Sequence, residues 1–470
     1  MRILFAPIAE KVLPSSLKAT LMPLVARLDS ALWEEGDQAA ANRGALIVFF
    51  SRVVSAALAY ALQVFLARIL GSTEYGIFVT VWTILIIFSL FSCSGFSNSI
   101  LRFVPEFNAQ KDFARLNGFI FTAQRVGVFG STAIALAGAL ATWVLSDTIE
   151  SHFVLPLFLV AVCLPLMVYT NILESVARAY DWQLLAMMPA FLWRPTLIII
   201  VMLGAWLAGF PPTAATACIS AIIAIWAVAV LQTLMMRPRL RAVVPSVPKI
   251  IDFKFWLIVS TPMMLVDGFF QLTMSADVLM VGYWMSPDQT GIYFAASRTL
   301  ALLHFVFYAV RSVSAARLSR LYHSGDQNGL HAYSRTAAQM TFYPTVLLAV
   351  LLIPTAPLLL RLFGSDFMEA LPALYILIFG VLARAAIGPA DALLIMSGNQ
   401  TTCAWVYASV FAANVAFNAV LIPALGLVGA ALSTTLSTFI EAALIYAVTR
   451  KRVGVRAFFL AAPTATAGSS

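Results

Sequence analysis

Twelve apolar segments, each about long enough to cross a bilayer, follow one another along this chain, and lysine and arginine collect in every second connection between them. A spanning helix needs about 20 mostly apolar residues. The segments run approximately over 45–67, 77–96, 118–145, 152–172, 186–208, 213–236, 256–285, 291–312, 338–362, 371–396, 404–423 and 427–448. They are long continuous runs rather than period-two alternations, so helices are expected and a barrel is not. The fold class is all-α. With 61% hydrophobic and 11% charged residues, the chain has far too little polar surface to cover such segments in water.

Orientation follows from the connections. Those after even-numbered segments carry Arg102, Lys111, Arg115, Arg178, Arg237, Arg239, Arg241, Lys249, Lys254, Arg317, Arg320 and Arg335, and the tail adds Arg450, Lys451, Arg452 and Arg456. Those after odd-numbered segments carry Glu74, Asp147, Glu150, Asp288, Asp366 and Glu369. The positive-inside rule then puts both termini in the cytoplasm. Arg68 and Arg361, at the outer edges, can snorkel to headgroups. The same asymmetry accounts for the net charge of +8 without a nucleic-acid partner.

Catalytic signatures are missing. There is no HExxH, no GxxxxGK[ST] and no GxSxG, so no enzyme, cofactor or metal is expected. Cys93, Cys163, Cys218 and Cys403 sit in or beside different segments without a CxxC pair, which speaks against a disulfide framework.

Internal similarity divides the chain. The shift that carries Gly76 onto Gly291 also carries Arg102 onto Arg317 and Gln124 onto Gln339. Two parallel six-helix lobes result, 44–236 and 255–449, around a central cavity. They are joined by a basic cytoplasmic linker, 237–254, that contains Pro238, Pro245 and Pro248. Residues 450–470 form a cytoplasmic tail. Residues 1–43 are a cytoplasmic extension, for which an interfacial amphipathic helix and a poorly ordered segment both stand open. Carriers built from repeats hold substrate between the halves and alternate access by rocking them.

Several stretches resemble one family. Residues 65–78, with Arg68, Gly71, Glu74, Tyr75 and Gly76, resemble the first-turn motif of the polysaccharide-transport flippases (Wzx-type repeat-unit flippases) of the multidrug/oligosaccharidyl-lipid/polysaccharide superfamily. So do Asp277 to Gly282 followed by Gly291-Ile292-Tyr293, Leu362 to Ala370, and Asn418 to Pro423 followed by Gly426 to Ala431. The resemblance covers roughly residues 44–450. It implies a flippase in the bacterial cytoplasmic membrane that moves polyprenyl-pyrophosphate-linked oligosaccharide for O-antigen, capsule or exopolysaccharide. Its partners would be that substrate, membrane lipids, and polysaccharide polymerase with chain-length machinery. Two alternatives stand beside it: a cation-coupled exporter of drugs or small molecules from the same superfamily, and a membrane polymerase or glycosyltransferase. The short outer connections argue against the last.

An anionic lipid-linked sugar needs a hydrated, cationic path, and charges inside spanning segments are costly enough to point to it. Arg52, Arg298, Arg311 and Arg384 are the candidate head-group contacts, since a guanidinium forks onto phosphate oxygens. Asp267, the repeat counterpart of Arg52, and Asp391 are candidates for coupling or gating; static ion pairing is the other reading of both. Arg384 and Asp391 are seven residues apart and should share a helix face, with a kink at Pro389 between them. Gln63, Gln124 and Gln339 are candidates for sugar hydroxyls or for interhelical hydrogen bonds.

Overall fold

The computed structural model describes residues 37–245 and 247–460, with side chains from Val54 onward. Residues 1–36, most of the N-terminal extension, and 461–470 lie outside the described residues, and so does the side chain of Arg52. The chain divides into two compact units, Met1–Ala59 and Tyr60–Ser470, and the features below belong to the second.

Among the described residues there are helices and no strands. Their order is α1 Asp37–Ser92, α2 Phe96–Ala109, α3 Phe113–Val144, α4 Ser151–Ala179, α5 Gln183–Met188, a π-turn Pro189–Trp193 leading into α6 Arg194–Leu207, and α7 Ala214–Val243. The second half has α8 Phe253–Trp284, α9 Pro287–His323, α10 Gln327–Phe363, a 3-10 turn Asp366–Ala370, α11 Leu371–Ile387, α12 Ala390–Met396 and α13 Gln400–Arg452. Among the described residues ten helices are long and apolar enough to cross a membrane. Two of these, α1 and α13, fold back at Gly71 (φ 76°) and Gly426 (φ 59°), where only glycine enters the left-handed region at no cost. The ten helices thus supply the twelve expected crossings. The chain is a multi-pass membrane protein.

Several helices outrun their apolar segments. At 37 residues each, α9 and α10 are about 55 Å long against a hydrocarbon core of about 30 Å. Their polar ends keep the i→i−4 ladder going beyond the membrane, which hydropathy does not register.

The helices of each half pack mainly on one another, and the halves meet at two levels. On the acidic side the repeat-related glycines touch. A Cβ on Gly76 would strike the carbonyl of Pro287, and one on Gly291 would come within 2.6 Å of the Ser72 carbonyl oxygen. Beside them Arg68 donates through Nε and Nη2 to the carbonyls of Leu362 and Arg361, both at 2.6 Å, satisfying the open C-terminus of α10. Buried Tyr75 packs edge-on against Phe294 and Phe367, at 6.1 and 5.9 Å between centroids. Toward the basic side α2 lies on α8. Ser260 Oγ donates to Ser99 Oγ at 2.8 Å, and Asn98 Nδ2 donates to Asp267 Oδ2. The linker is pinned to α3 by Ile250 N–H to Ala114 C=O, 3.1 Å.

The glycine contact gives a clean expectation. Gly76→Val forces the acidic-side seam apart and destabilises by about 1–3 kcal/mol, the cost of overpacking. Gly138→Ala, with nothing within 4 Å of its added Cβ, is neutral or slightly stabilising. Thermal unfolding of the detergent-solubilised protein distinguishes them.

Candidate functional site

Five helices of the second half bring charge into the apolar interior. The pivot is a break in the tenth crossing. Helix α11 ends at Ile387, Gly388 takes φ 55°, Pro389 follows, and α12 starts at Ala390. Proline cannot donate to the ladder, and a Cβ at Gly388 would approach the Ala338 Cα to 2.6 Å, so the bend is written into both residues. Arg384 sits just before the break and Asp391 just after it, each 4% exposed.

The kink expected at Pro389 is thus a full break, and the two side chains converge across it. Asp391 Oδ2 accepts from Arg311 Nε at 2.9 Å and from the Tyr407 hydroxyl at 3.3 Å, and lies 3.9 Å from Arg384 Nη2. Arg384 donates onward to the Tyr407 oxygen at 3.4 Å and pairs through Nη1 with Glu441, 2% exposed. The guanidinium of Arg384 also rests over the rings of Phe307 and Phe270, 4.5 and 5.3 Å from their centroids. Burial strengthens such charge contacts relative to the same pairs in water.

A cavity of about 90 Å³ opens onto this cluster, lined by Val266, Asp267, Phe270, Phe307, Tyr308, Arg311, Arg384, Asp391 and Tyr407. It has room for a few waters and none for a sugar. Arg311, whose side chain is 38% exposed, is the most accessible of the paired groups. Asp267 lies at the edge, feeling Arg311 on one side and holding Asn98 of the first half on the other. Its expected partner Arg52 falls outside the described side chains. One oxygen each of Asp391 and Glu441 is buried with no hydrogen-bond partner among the described residues.

Arg298 stands apart. It is thirteen residues before Arg311 on α9, about 20 Å along the axis. Its guanidinium packs over Phe294 at 4.3 Å, and its Nε is buried without a partner. Among the described residues no carboxylate comes within 4 Å of it. Nearby Asp277 is already held by the Tyr293 hydroxyl (2.8 Å), the Thr434 hydroxyl (3.3 Å) and the Val278 N–H (2.8 Å), a bracing role.

The glutamines separate. Gln63 accepts from the Tyr75 hydroxyl at 2.9 Å, Gln339 donates to the Phe459 carbonyl at 3.1 Å, and Gln124 is half-buried on α3. The amides of Gln63 and Gln339 are therefore engaged within the protein in this conformation. Three members of the site were not among the sequence candidates: Glu441, Tyr407 and Asn98. Glu441 was open to the rule that found the arginines, being an acid between Ile440 and Ala442 deep in the last apolar segment. Tyr407 and Asn98 carry no such signal.

Comparison with known proteins adds a family and a fold. A family model described as "Polysaccharide biosynthesis protein" matches residues 41–321. A search of curated proteins finds no match. Among solved structures, an inward-facing multidrug resistance MATE family transporter of the MOP superfamily aligns at TM-score 0.68 and 14% identity, over 84% of this chain and 94% of that one. The lipid II flippase MurJ, in an inward closed conformation, aligns at TM-score 0.64 and 15% identity, over 86% of this chain and 87% of that one. A MOP superfamily transporter from Pyrococcus furiosus aligns at 0.65 and 14%, over 90% and 97%. At such identities the likeness establishes the fold: two bundles of membrane helices of the MOP type.

Proposed function

Because the chain belongs to the polysaccharide biosynthesis protein family, we propose that it carries a lipid-linked, diphosphate-bearing oligosaccharide across the cytoplasmic membrane by alternating access. The observation that supports this most is the spacing of cations along α9 within the apolar interior. Arg311, with Arg384 beside it, makes one station in the cavity, and Arg298 makes a second about 20 Å on. A neutral or cationic cargo has no use for either.

The basic side is the cytoplasmic one in this reading, with both termini there. The diphosphate arrives at half-exposed Arg311 and competes with Asp391 for its guanidinium. Both levels of contact between the halves are closed, so the cargo is admitted when the α2–α8 seam parts and released when the Gly76–Gly291 seam does. Binding supplies the shift only by favouring one of these states.

Coupling is built on a charge imbalance. Arg311 and Arg384 face three carboxylates, Asp267, Asp391 and Glu441. One proton or monovalent cation balances the cluster. Neutralising Asp267 weakens its hold on Asn98 and with it the seam. A proton moving with the potential supplies about 2.3 kcal/mol per 100 mV. Asp267→Asn is therefore expected to translocate with no response to an imposed pH gradient; an unchanged gradient response would remove Asp267 from the coupling.

The primary test is leaflet accessibility of a fluorescent undecaprenyl-diphosphate oligosaccharide in proteoliposomes. Protein-dependent translocation supports the flippase. Inert protein on several glycans, together with efflux of small cationic dyes, supports an exporter instead.

A further inference from the structure

We propose that residues 453–459 are a brace that fixes the break in the tenth crossing and so positions Arg384 and Asp391. The inference rests on the transport reading only for its consequence, not for the contact itself. The sequence reading places this segment in a cytoplasmic tail, but its burial alternates: Val453, Val455 and Ala457 are 7%, 0% and 2% exposed, while Gly454 and Arg456 face outward. The chain leaves the helix through Gly454 (φ 80°) and lies as a strap on an apolar floor. The floor is the core that holds Ile387, Ala390, Leu393 and Cys403, on both sides of the break.

Its end meets the break directly. The N–H of Phe459 donates to the carbonyl of Ala386 at 3.1 Å. Ala386 lies in the last turn of α11, where the helix stops and its carbonyls lose their intrahelical donors. In an unbroken helix the Ala386 carbonyl would accept from the N–H of residue 390; at the break Phe459 supplies a donor to it from outside. Its own carbonyl accepts from Gln339 Nε2, and its ring stacks on Phe342 at 3.8 Å, tying the strap to α10. Gly388 touches that same helix at Ala338. The bend, α10 and the strap form one joint, and Arg384 and Asp391 stand on its two arms.

The test uses a readout that needs no substrate. Cys403, fully buried in the shared core, is kept, and Cys93, Cys163 and Cys218 are changed to alanine in the full chain. Modification of Cys403 by a membrane-impermeant maleimide is compared in Phe459→Pro, which loses the N–H, in Phe459→Ala, which keeps it, and in a chain ended at Arg452. The brace predicts modification on the order of tenfold faster in the proline and shortened variants, and within about twofold of the parent in Phe459→Ala. In the transport assay the proline variant raises the half-saturating concentration of the lipid-linked diphosphate while its thermal midpoint stays within about 3 °C. Unchanged labelling in the shortened chain overturns the brace, and an equal effect of alanine and proline overturns the role of the N–H. Faster labelling with no lipid moved even by the parent sustains the brace and sinks the transport reading instead.

Discussion

Arg384→Leu is expected to slow translocation by about ten- to a hundredfold and to destabilise the protein, while Arg384→Leu combined with Glu441→Leu is expected to recover most of the stability and none of the lost transport. The single change leaves Glu441 ionised in an interior where it is 2% exposed, and strips Asp391 of one of its two cations. Removing one partner of a buried pair costs about 3–5 kcal/mol, whereas replacing both by apolar residues of similar bulk is often neutral. Asp391 keeps Arg311 and Tyr407 in either variant. Transport does not recover because a guanidinium donating to a phosphate is worth about 1.5–3 kcal/mol, or roughly ten- to a hundredfold in rate. Thermal unfolding in detergent and leaflet accessibility in proteoliposomes, run on both variants, separate the two effects. Wild-type translocation by the double variant would make the pair a packing device and no more.

What the sequence exposed and what it hid divide along physical lines. Hydropathy sees the cost of backbone and charge in hydrocarbon, so the crossings, their number and the buried arginines could all be read from it. Internal similarity finds where a close approach needs glycine: Gly76 and Gly291 were matched by it alone, and in the structure they lie against each other where the halves join. Hydropathy does not see helix that continues past the membrane, as in the ends of α9 and α10, nor which groups meet from far apart in the chain. Asn98 with Asp267, and Phe459 with Ala386, are of that kind.

Spacing was half the story in one instructive place. Arg384 and Asp391 were expected to share a helix face, two turns apart, with a kink at Pro389 between them. Gly388 and Pro389 interrupt the helix, and the side chains meet because the break folds around Ala338, not because of periodicity. A substitution that straightened this crossing would therefore separate them.

Arg298→Leu is expected to have the opposite signature to Arg384→Leu: translocation falls by about ten- to a hundredfold, while the thermal midpoint holds or rises. An arginine at membrane depth costs about 2.5–3.5 kcal/mol even on the lenient insertion scale. Arg384 recovers that cost through Glu441, Asp391 and Tyr407, but among the described residues Arg298 has the Phe294 ring at 4.3 Å and the more distant charge of Asp277, no carboxylate within 4 Å, and no acceptor for its Nε. No carboxylate is orphaned when it is removed, because Asp277 already accepts from Tyr293, Thr434 and its neighbour's N–H. An arginine this incompletely paired in the resting protein is explained by what it meets in transit, a trade of stability for activity. Arg298→Lys keeps the charge without the fork and should retain part of the rate. A large drop in thermal midpoint for Arg298→Leu, with translocation at the wild-type rate, would assign Arg298 to packing and leave the path with a single station at Arg311 and Arg384.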